Sequence, residues 1–398
     1  MKRRPQEGSK PAVSPIHIAG DGEQPNTGLV LSGGGSRAAY QVGALKALAP
    51  FLEKEGSKRH FKVVVGSSIG AINGLIVSAC LKDGLTQTID QLETIWRRRN
   101  FRNTFLGTPS QAFFRAVKMA VIQYMSPGPN ATSESIFDPT PLMSEVDEVL
   151  AQHGGLSPDA RDPSLESVAV MTTIEGAQRK PLIFLSSHKP VPLENLEGAS
   201  FDICNVRELH AKHGFASAAL PSVLPPVELD VEGGKVRLVD GGISQNIPVD
   251  PAVRLGADRV IVIDVSGRNW WLDKYGEAHD TRPEWEVPAA FKTFCLRPPE
   301  TFVARCQTGL GKILRESVGS SRSKFMAALG PVWPVFSLLK NRLGEDIAFE
   351  AMTYVALDSD YLNAIIEAGY NETIAKIRKR GEVAFTRSES YDKWAAEL

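Results

Sequence analysis

From Thr27 onward, apolar and polar positions follow two alternating rhythms. "TGLVLS" is a short apolar run that stops at three consecutive glycines, and it predicts a strand. In the segment that follows, "SRAAYQVGALKALAPFLEKE", Ala38, Val42, Leu45, Ala49 and Leu52 recur at i, i+4, i+7 spacing, the signature of an amphipathic helix. "FKVVVGSS" then predicts a second buried strand, and "IGAINGLIVSACL" a helix that is apolar nearly all round. Strand, helix, strand, helix by residue 81 is the order of an α/β domain built on a largely parallel sheet, with helices on both faces in three layers.

The rhythm continues further along the chain. Residues 82–135 read as helical and irregular and include the basic cluster "WRRRNFRN". "ESVAVMTTIEG" and "KPLIFLSS" predict two strands joined by a turn, a hairpin at the sheet edge. A helix over "NVRELHAKHGFASAAL" must end at "PSVLPPV", because proline lacks the N–H and clashes with the preceding turn. "KVRLVDGG" predicts a strand, "DPAVRLGA" a helix and "DRVIVIDVS" a strand. After Gly267 the alternation stops. It resumes with "AFEAMTYVALDSD", read as a last strand, and "YLNAIIEAGYNETIAKIRKRGEVAF", read as a helix. The expected organisation is therefore an N-terminal arm over 1–26, an α/β core over 27–266, an insertion or cap over 267–344, and a strand and helix over 345–398 that pack on the core.

Composition narrows the function more than the fold. With 42% hydrophobic residues, 23% charged residues and a formal net charge of −1, the chain offers no electrostatic footprint for nucleic acid. The four cysteines, Cys80, Cys204, Cys295 and Cys306, form no C-x-x-C pair, so neither a zinc site nor a disulfide framework is expected. The basic start "MKRR" lacks the apolar run of a signal peptide, and no segment reaches the roughly 18 apolar residues of a membrane span. The expectation is a cytoplasmic protein whose membrane contact, if any, is peripheral; the sequence leaves its oligomeric state open.

Candidate chemistry begins at "GSSIG", residues 66–70, a G-x-S-x-G between a predicted strand and a predicted helix. Gly66 and Gly70 permit the sharp turn that pushes Ser68 out of the sheet toward the positive end of the next helix, which makes Ser68 the candidate nucleophile. The pattern alone is common, and the same glycines could merely let a buried helix pack close. A serine hydroxyl also needs a base. The only histidine after residue 240 is His279, in the polar stretch "YGEAHDTRPEWE" with no sign of fixed geometry; His210 and His213 read as two exposed residues on a polar helix face. The better base is Asp240. In "LVDGGISQNIP" it ends a strand, and Gly241 and Gly242 turn the chain away at once, presenting a carboxylate where open α/β sheets bind ligands.

In order along the chain, "SGGGSRAAYQVGAL", "GSSIG", "SIFDPTPL", "ASAALPSVLPPV" and "DGGISQNIP" resemble the motifs of the patatin-like phospholipase family, over residues 27 to 266. The resemblance implies a three-layer α/β/α fold and a serine acyl-ester hydrolase acting on lipids, with no cofactor and no metal. It places Ser68 and Asp240 on the family's catalytic dyad, and Gly33, Gly34, Gly35, Ser36 and Arg37 on its glycine-rich oxyanion motif. Ala38 stands where many members carry another glycine, and 267–344 carries none of these motifs.

Two other functions compete. "GGGSRA" also fits the G-x-G-x-x-A turn of a dinucleotide-binding oxidoreductase, but that fold wants an acid ending its second strand, whereas Glu53 and Glu55 fall at the end of the predicted helix. A lipid-binding protein with an idle site is the third reading, and it leaves Ser68 and Asp240 without a role. An ester substrate accounts for the glycines: backbone N–H groups stabilise the negative oxygen of a tetrahedral intermediate. An aspartate base then requires either a pKa raised by burial or a serine acidified by the helix ends. Arg37 is expected to brace the glycine turn, with approach to a phospholipid phosphate as the alternative. Arg97, Arg98, Arg99 and Arg102 form either a solvated face or a contact for anionic head groups, and "GPVWPVFSLLKNRLG" (330–344) is either an interfacial cap or a core-packing segment.

Overall fold

The structure, a computed structural model, describes residues 25–54, 60–107, 111, 115, 135–176, 178–266, 300–319, 322–380 and 383–385. Its frame is a nine-stranded mixed sheet. Strands β1 (Thr27–Leu31), β2 (Val63–Ser67), β3 (Ser167–Ile174), β4 (Pro181–Ser187), β5 (Asp202–Asn205), β6 (Val227–Val231), β7 (Gly234–Val239), β8 (Arg259–Asp264) and β9 (Glu300–Arg305) include the path β5-β4-β3-β2-β1-β8-β9. The pairs β1–β2, β1–β8, β2–β3, β4–β5 and β8–β9 are parallel; β3 pairs antiparallel with both β4 and β7, and β6 pairs antiparallel with β7.

The central strands are apolar throughout because both sheet faces are covered. Leu29 and Leu31 of β1, Val64 of β2, and Ile261 and Ile263 of β8 point into the larger core. Their neighbours Val30, Val63, Val65, Val260 and Val262 point into a second core on the opposite face, shared with Ala252 and Val253 of the short helix Val249–Arg254. The larger core is roofed by α1 (Ala39–Lys54), α2 (Ile69–Cys80) and α3 (Leu85–Arg97), and by the long helix Ser359–Arg380. That helix crosses α1 at backbone contact: a side-chain carbon on Gly43 would run into the carbonyl of Ile366, and one on Gly369 into that of Tyr40. No helix among the described residues is long and apolar enough to cross a membrane.

Several expectations are corrected. The β3–β4 hairpin is not at the edge, because β5 adds beyond it. β5 and β6 are strands that the periodicity did not reveal. The helix expected from residue 205 spans only Ala211–Ala218, since His210 is itself extended and caps its start. The strand expected at 348–360 begins instead as the helix Glu345–Met352, with Ile347, Ala348, Phe349, Glu350 and Met352 buried on it. Within 267–344, β9 extends the central sheet. There the helix Trp333–Leu343 buries Phe336 against Phe325 and Phe349, so it packs on the core while leaving Val335 and Leu338 exposed.

Candidate functional site

The turn from β2 into α2 is strained at one residue. Ser68 has φ 54° and ψ −133°, a region that L side chains avoid at a cost of about 1–3 kcal/mol. The surroundings hold it there. The Ser68 N–H donates to Ser217 Oγ at 2.7 Å, and that hydroxyl donates onward to the Met171 carbonyl of β3. The Ser68 carbonyl accepts from the Ala71 N–H at 2.9 Å as α2 begins. Gly66 and Gly70 are required by space: a carbon added to Gly70 would meet the carbonyls of Leu31 and Ser32, and one on Gly66 the backbone of Gly70 and Ala71.

Asp240 follows β7 and faces Ser68. The Ser68 hydroxyl donates to Asp240 Oδ2 at 2.6 Å, and the Gly242 N–H donates to Oδ1 at 2.7 Å. The backbone of Asp240 is pinned as well, its N–H donating to the Ala219 carbonyl at 3.0 Å and its carbonyl accepting from Thr173 Oγ1 at 2.8 Å. Burial pushes the carboxyl up to about 6, against the opposing pull of the hydrogen bonds from Ser68 and Gly242.

The glycine turn lies against this pair, since a carbon on Gly33 would strike Ser68 Cβ and Asn246 Oδ1. Its amides divide into two groups. The Gly33 N–H donates to the Asn246 carbonyl at 3.2 Å, that of Ser36 to the Tyr354 carbonyl at 2.9 Å, and that of Arg37 to the Gly34 carbonyl at 3.3 Å. The N–H groups of Gly34 and Gly35 have no hydrogen-bond partner among the described residues. Gly35 takes φ 58° beside the Tyr354 carbonyl, a position no side chain could share. Of the five residues the sequence offers as oxyanion donors, three therefore have their amides engaged.

Arg37 is a brace. Its guanidinium is 2% exposed and donates to Thr353 Oγ1, the Ser266 carbonyl, and both the carbonyl and Oε1 of Glu350, while the Tyr354 ring stacks on it at 3.7 Å. These partners, like Asn246 and Ser217, were not assigned in the sequence. Asn246 and Ser217 lie in motifs that carry the family resemblance, "DGGISQNIP" and "ASAALPSVLPPV"; nothing marks Glu350 in advance.

Ser68, Asp240 and Gly33–Ser36 line a cavity of about 390 Å³. Its walls are mostly apolar, with Ile69, Ile72 and Ile76 of α2, Ile95 and Trp96 of α3, and Phe105, Phe137 and Leu142. Tyr354, Val355 and Leu357 close another side. No histidine is among the described residues lining it. His213, expected to be exposed, is buried: it accepts from the His210 N–H at 3.0 Å, and burial pushes it down to about 4. His279 lies outside the described residues. The basic run is not one face. Arg97 pairs with Glu93 within α3 and joins that helix to the long one through Glu367 and Asn363, Arg98 is exposed, and Arg99 is buried in the cavity wall.

Comparison with known families matches residues 29–253, more than half of the chain, to the model described as patatin-like phospholipase. The chain belongs to the patatin-like phospholipase family. The mostly parallel sheet and its covering helices are that family's fold, and membership makes the protein a lipid acyl hydrolase. Similar solved structures include VipD from Legionella pneumophila, at 14% identity and TM-score 0.34, covering 95% of this chain and 82% of VipD. The type III effector ExoU of Pseudomonas aeruginosa is 15% identical with TM-score 0.29, covering 86% of this chain and 54% of ExoU. Human GIVD cytosolic phospholipase A2 is 12% identical with TM-score 0.34, covering 88% of this chain and 60% of its own. No curated protein matches by sequence. The dinucleotide reading falls away: β2 of this patatin-like chain ends on Ser67 and not on an acid, and Glu53 is occupied at the exposed end of α1 by Thr86, while Glu55 lies outside the described residues.

Proposed function

We propose that the protein hydrolyses acyl esters of lipids through a Ser68–Asp240 dyad. The carrying observation is the 2.6 Å hydrogen bond from the Ser68 hydroxyl to Asp240 Oδ2 at the wall of an apolar cavity. Ser68 Oγ attacks the ester carbonyl carbon and its proton passes to Asp240. The carbonyl π pair moves onto oxygen, where the N–H groups of Gly34 and Gly35, unengaged among the described residues, stabilise the charge. Collapse expels the alcohol, which takes the proton from Asp240 and leaves acyl-Ser68. Water then attacks the acyl carbon and gives a proton to Asp240; the fatty acid leaves as Ser68 recovers that proton. A carboxyl raised to about 6 is a stronger base than a free aspartate and is still ionised at neutral pH.

The apolar lining supports an acyl chain as the group held beside Ser68. The test is release of fatty acid from phospholipid and monoacylglycerol by the wild type, Ser68→Ala and Asp240→Asn. The expected result is no turnover by Ser68→Ala and a fall of about 10²–10⁴ in kcat for Asp240→Asn, with both variants folded. Full turnover by folded Ser68→Ala overturns the assignment.

A further inference from the structure

Asn246 sits where the two halves of the site meet. A carbon on Gly33 would strike its Oδ1 and lie 2.8 Å from Ser68 Cβ; one on Gly242 would lie 2.6 Å from the same Oδ1 and 2.8 Å from Asp240 Oδ1. The side chain therefore fills the space between the glycine turn and the loop that carries Asp240, beside both members of the dyad, and it lines the cavity with them. Only glycine at 33 and 242 leaves room for it there.

Asn246 holds Gly33 at both ends. Its backbone carbonyl accepts from the Gly33 N–H at 3.2 Å, and its side-chain Nδ2 donates to the Gly33 carbonyl at 3.4 Å. The second contact acts on the next residue as well. The peptide joining Gly33 to Gly34 is planar and trans, so its carbonyl and its N–H point in opposite directions, and a donor on the Gly33 oxygen fixes the direction of the Gly34 N–H. Glycine on both sides makes rotation of this peptide cheap, and a flip would put a carbonyl oxygen where the N–H stood. The following peptide is fixed by the backbone alone, since the Gly34 carbonyl accepts from the Arg37 N–H at 3.3 Å. Among the described residues, the Asn246 amide is the one side-chain donor to the Gly33 carbonyl.

We propose that Asn246 is a positioning residue for ester hydrolysis: by holding the Gly33 carbonyl, its Nδ2 aims the Gly34 N–H at the oxyanion. This rests on reading the Gly34 N–H as an oxyanion donor, and it names the side chain on which that donor depends. Asn246 takes up no proton and forms no bond to the substrate. Its effect is felt when negative charge reaches the former carbonyl oxygen, so its loss costs the transition state and spares the bound ester. A side chain that merely tied two loops together would show no such preference.

The test uses the full chain and two long-chain ketones of equal length. A trifluoromethyl ketone is activated enough for Ser68 Oγ to add to its carbonyl carbon, passing the proton to Asp240 and leaving a hemiketal oxyanion; the methyl ketone binds without this addition. Wild type is expected to bind the trifluoromethyl ketone much the more tightly. Asn246→Ala should weaken that ligand at least about tenfold and the methyl ketone less than about twofold, and should lower kcat by up to the roughly 10²–10³ that one oxyanion donor is worth, with KM nearly unchanged. The proposal is overturned if Asn246→Ala weakens both ketones alike or neither, or if KM rises while kcat holds. Should Asn246→Ala fail to fold, Asn246→Leu, which keeps the bulk of the side chain without its donor, replaces it under the same criteria. If wild type itself does not distinguish the ketones, the hydrolase reading falls and takes this proposal with it; if wild type and variant distinguish them equally, this proposal alone falls.

Discussion

Burial holds the Asp240 carboxyl protonated up to about pH 6, whereas in the unfolded chain the same group ionises near its ordinary value of 3.8. Between those values the folded protein keeps a proton that the unfolded chain has lost, so folding stability falls as pH rises through that window and then levels. Asp240→Asn removes the penalty. Its melting temperature is expected to exceed that of the wild type at pH 7.5 and to converge with it below pH 4; a lower value at pH 7.5 contradicts the burial argument. Activity follows the opposite course, with kcat/KM rising through about pH 6 to a plateau as the base ionises. Ser217 is the second telling residue. Ser217→Ala leaves the buried Ser68 N–H without its acceptor, which costs about 1–3 kcal/mol in urea unfolding and lowers kcat through a displaced nucleophile. Ser68 and Asp240 could be picked out of the sequence because each sits where a predicted strand meets glycines. Ser217 and Asn246 could not be given roles, because those depend on which strand lies beneath the helix and which loop crosses the turn.

At the scale of elements, the alternation of apolar strands and amphipathic helices over the first 81 residues is visible in the chain because central parallel strands are buried on both faces and read as unbroken apolar runs. β6 gives a weaker signal: it follows two prolines, and Glu228 and Asp230 alternate outward from a short hairpin. Among the described residues β9 pairs with β8 alone, and it lies in a stretch where the rhythm has broken down. The helix Glu345–Met352 misleads more directly, since its buried face includes the charged Glu350 and so imitates the alternation of a strand. The glycine turn leads directly into α1, the helix that Ser359–Arg380 crosses at backbone contact. Replacing Gly369 by leucine must force the two helices apart at the Tyr40 carbonyl. A loss of about 1–3 kcal/mol or more is expected from such overpacking, read from thermal or urea unfolding.

Across the whole molecule, the site is not confined to the stretch that matches the family. That match ends at residue 253, yet Glu350, Thr353 and Tyr354 hold Arg37 and Ser36, and Tyr354, Val355 and Leu357 wall the cavity. Glu350 also receives the Gly311 N–H at 2.7 Å, so one buried carboxylate ties the glycine turn to the helix Leu310–Val318. Glu350→Ala strands the Arg37 guanidinium without its countercharge. A loss of about 3–5 kcal/mol is expected, with hydrolysis falling even though no atom of Glu350 lines the cavity. Unchanged unfolding would mean that the later chain is not integral to the site.

The most direct measurement of the central claim is to treat the folded protein with a fluorophosphonate and locate the adduct by peptide mass spectrometry. The dyad account predicts one adduct, on Ser68, absent from Ser68→Ala and strongly slowed in Asp240→Asn. An adduct on another residue, or undiminished labelling of folded Asp240→Asn, contradicts it.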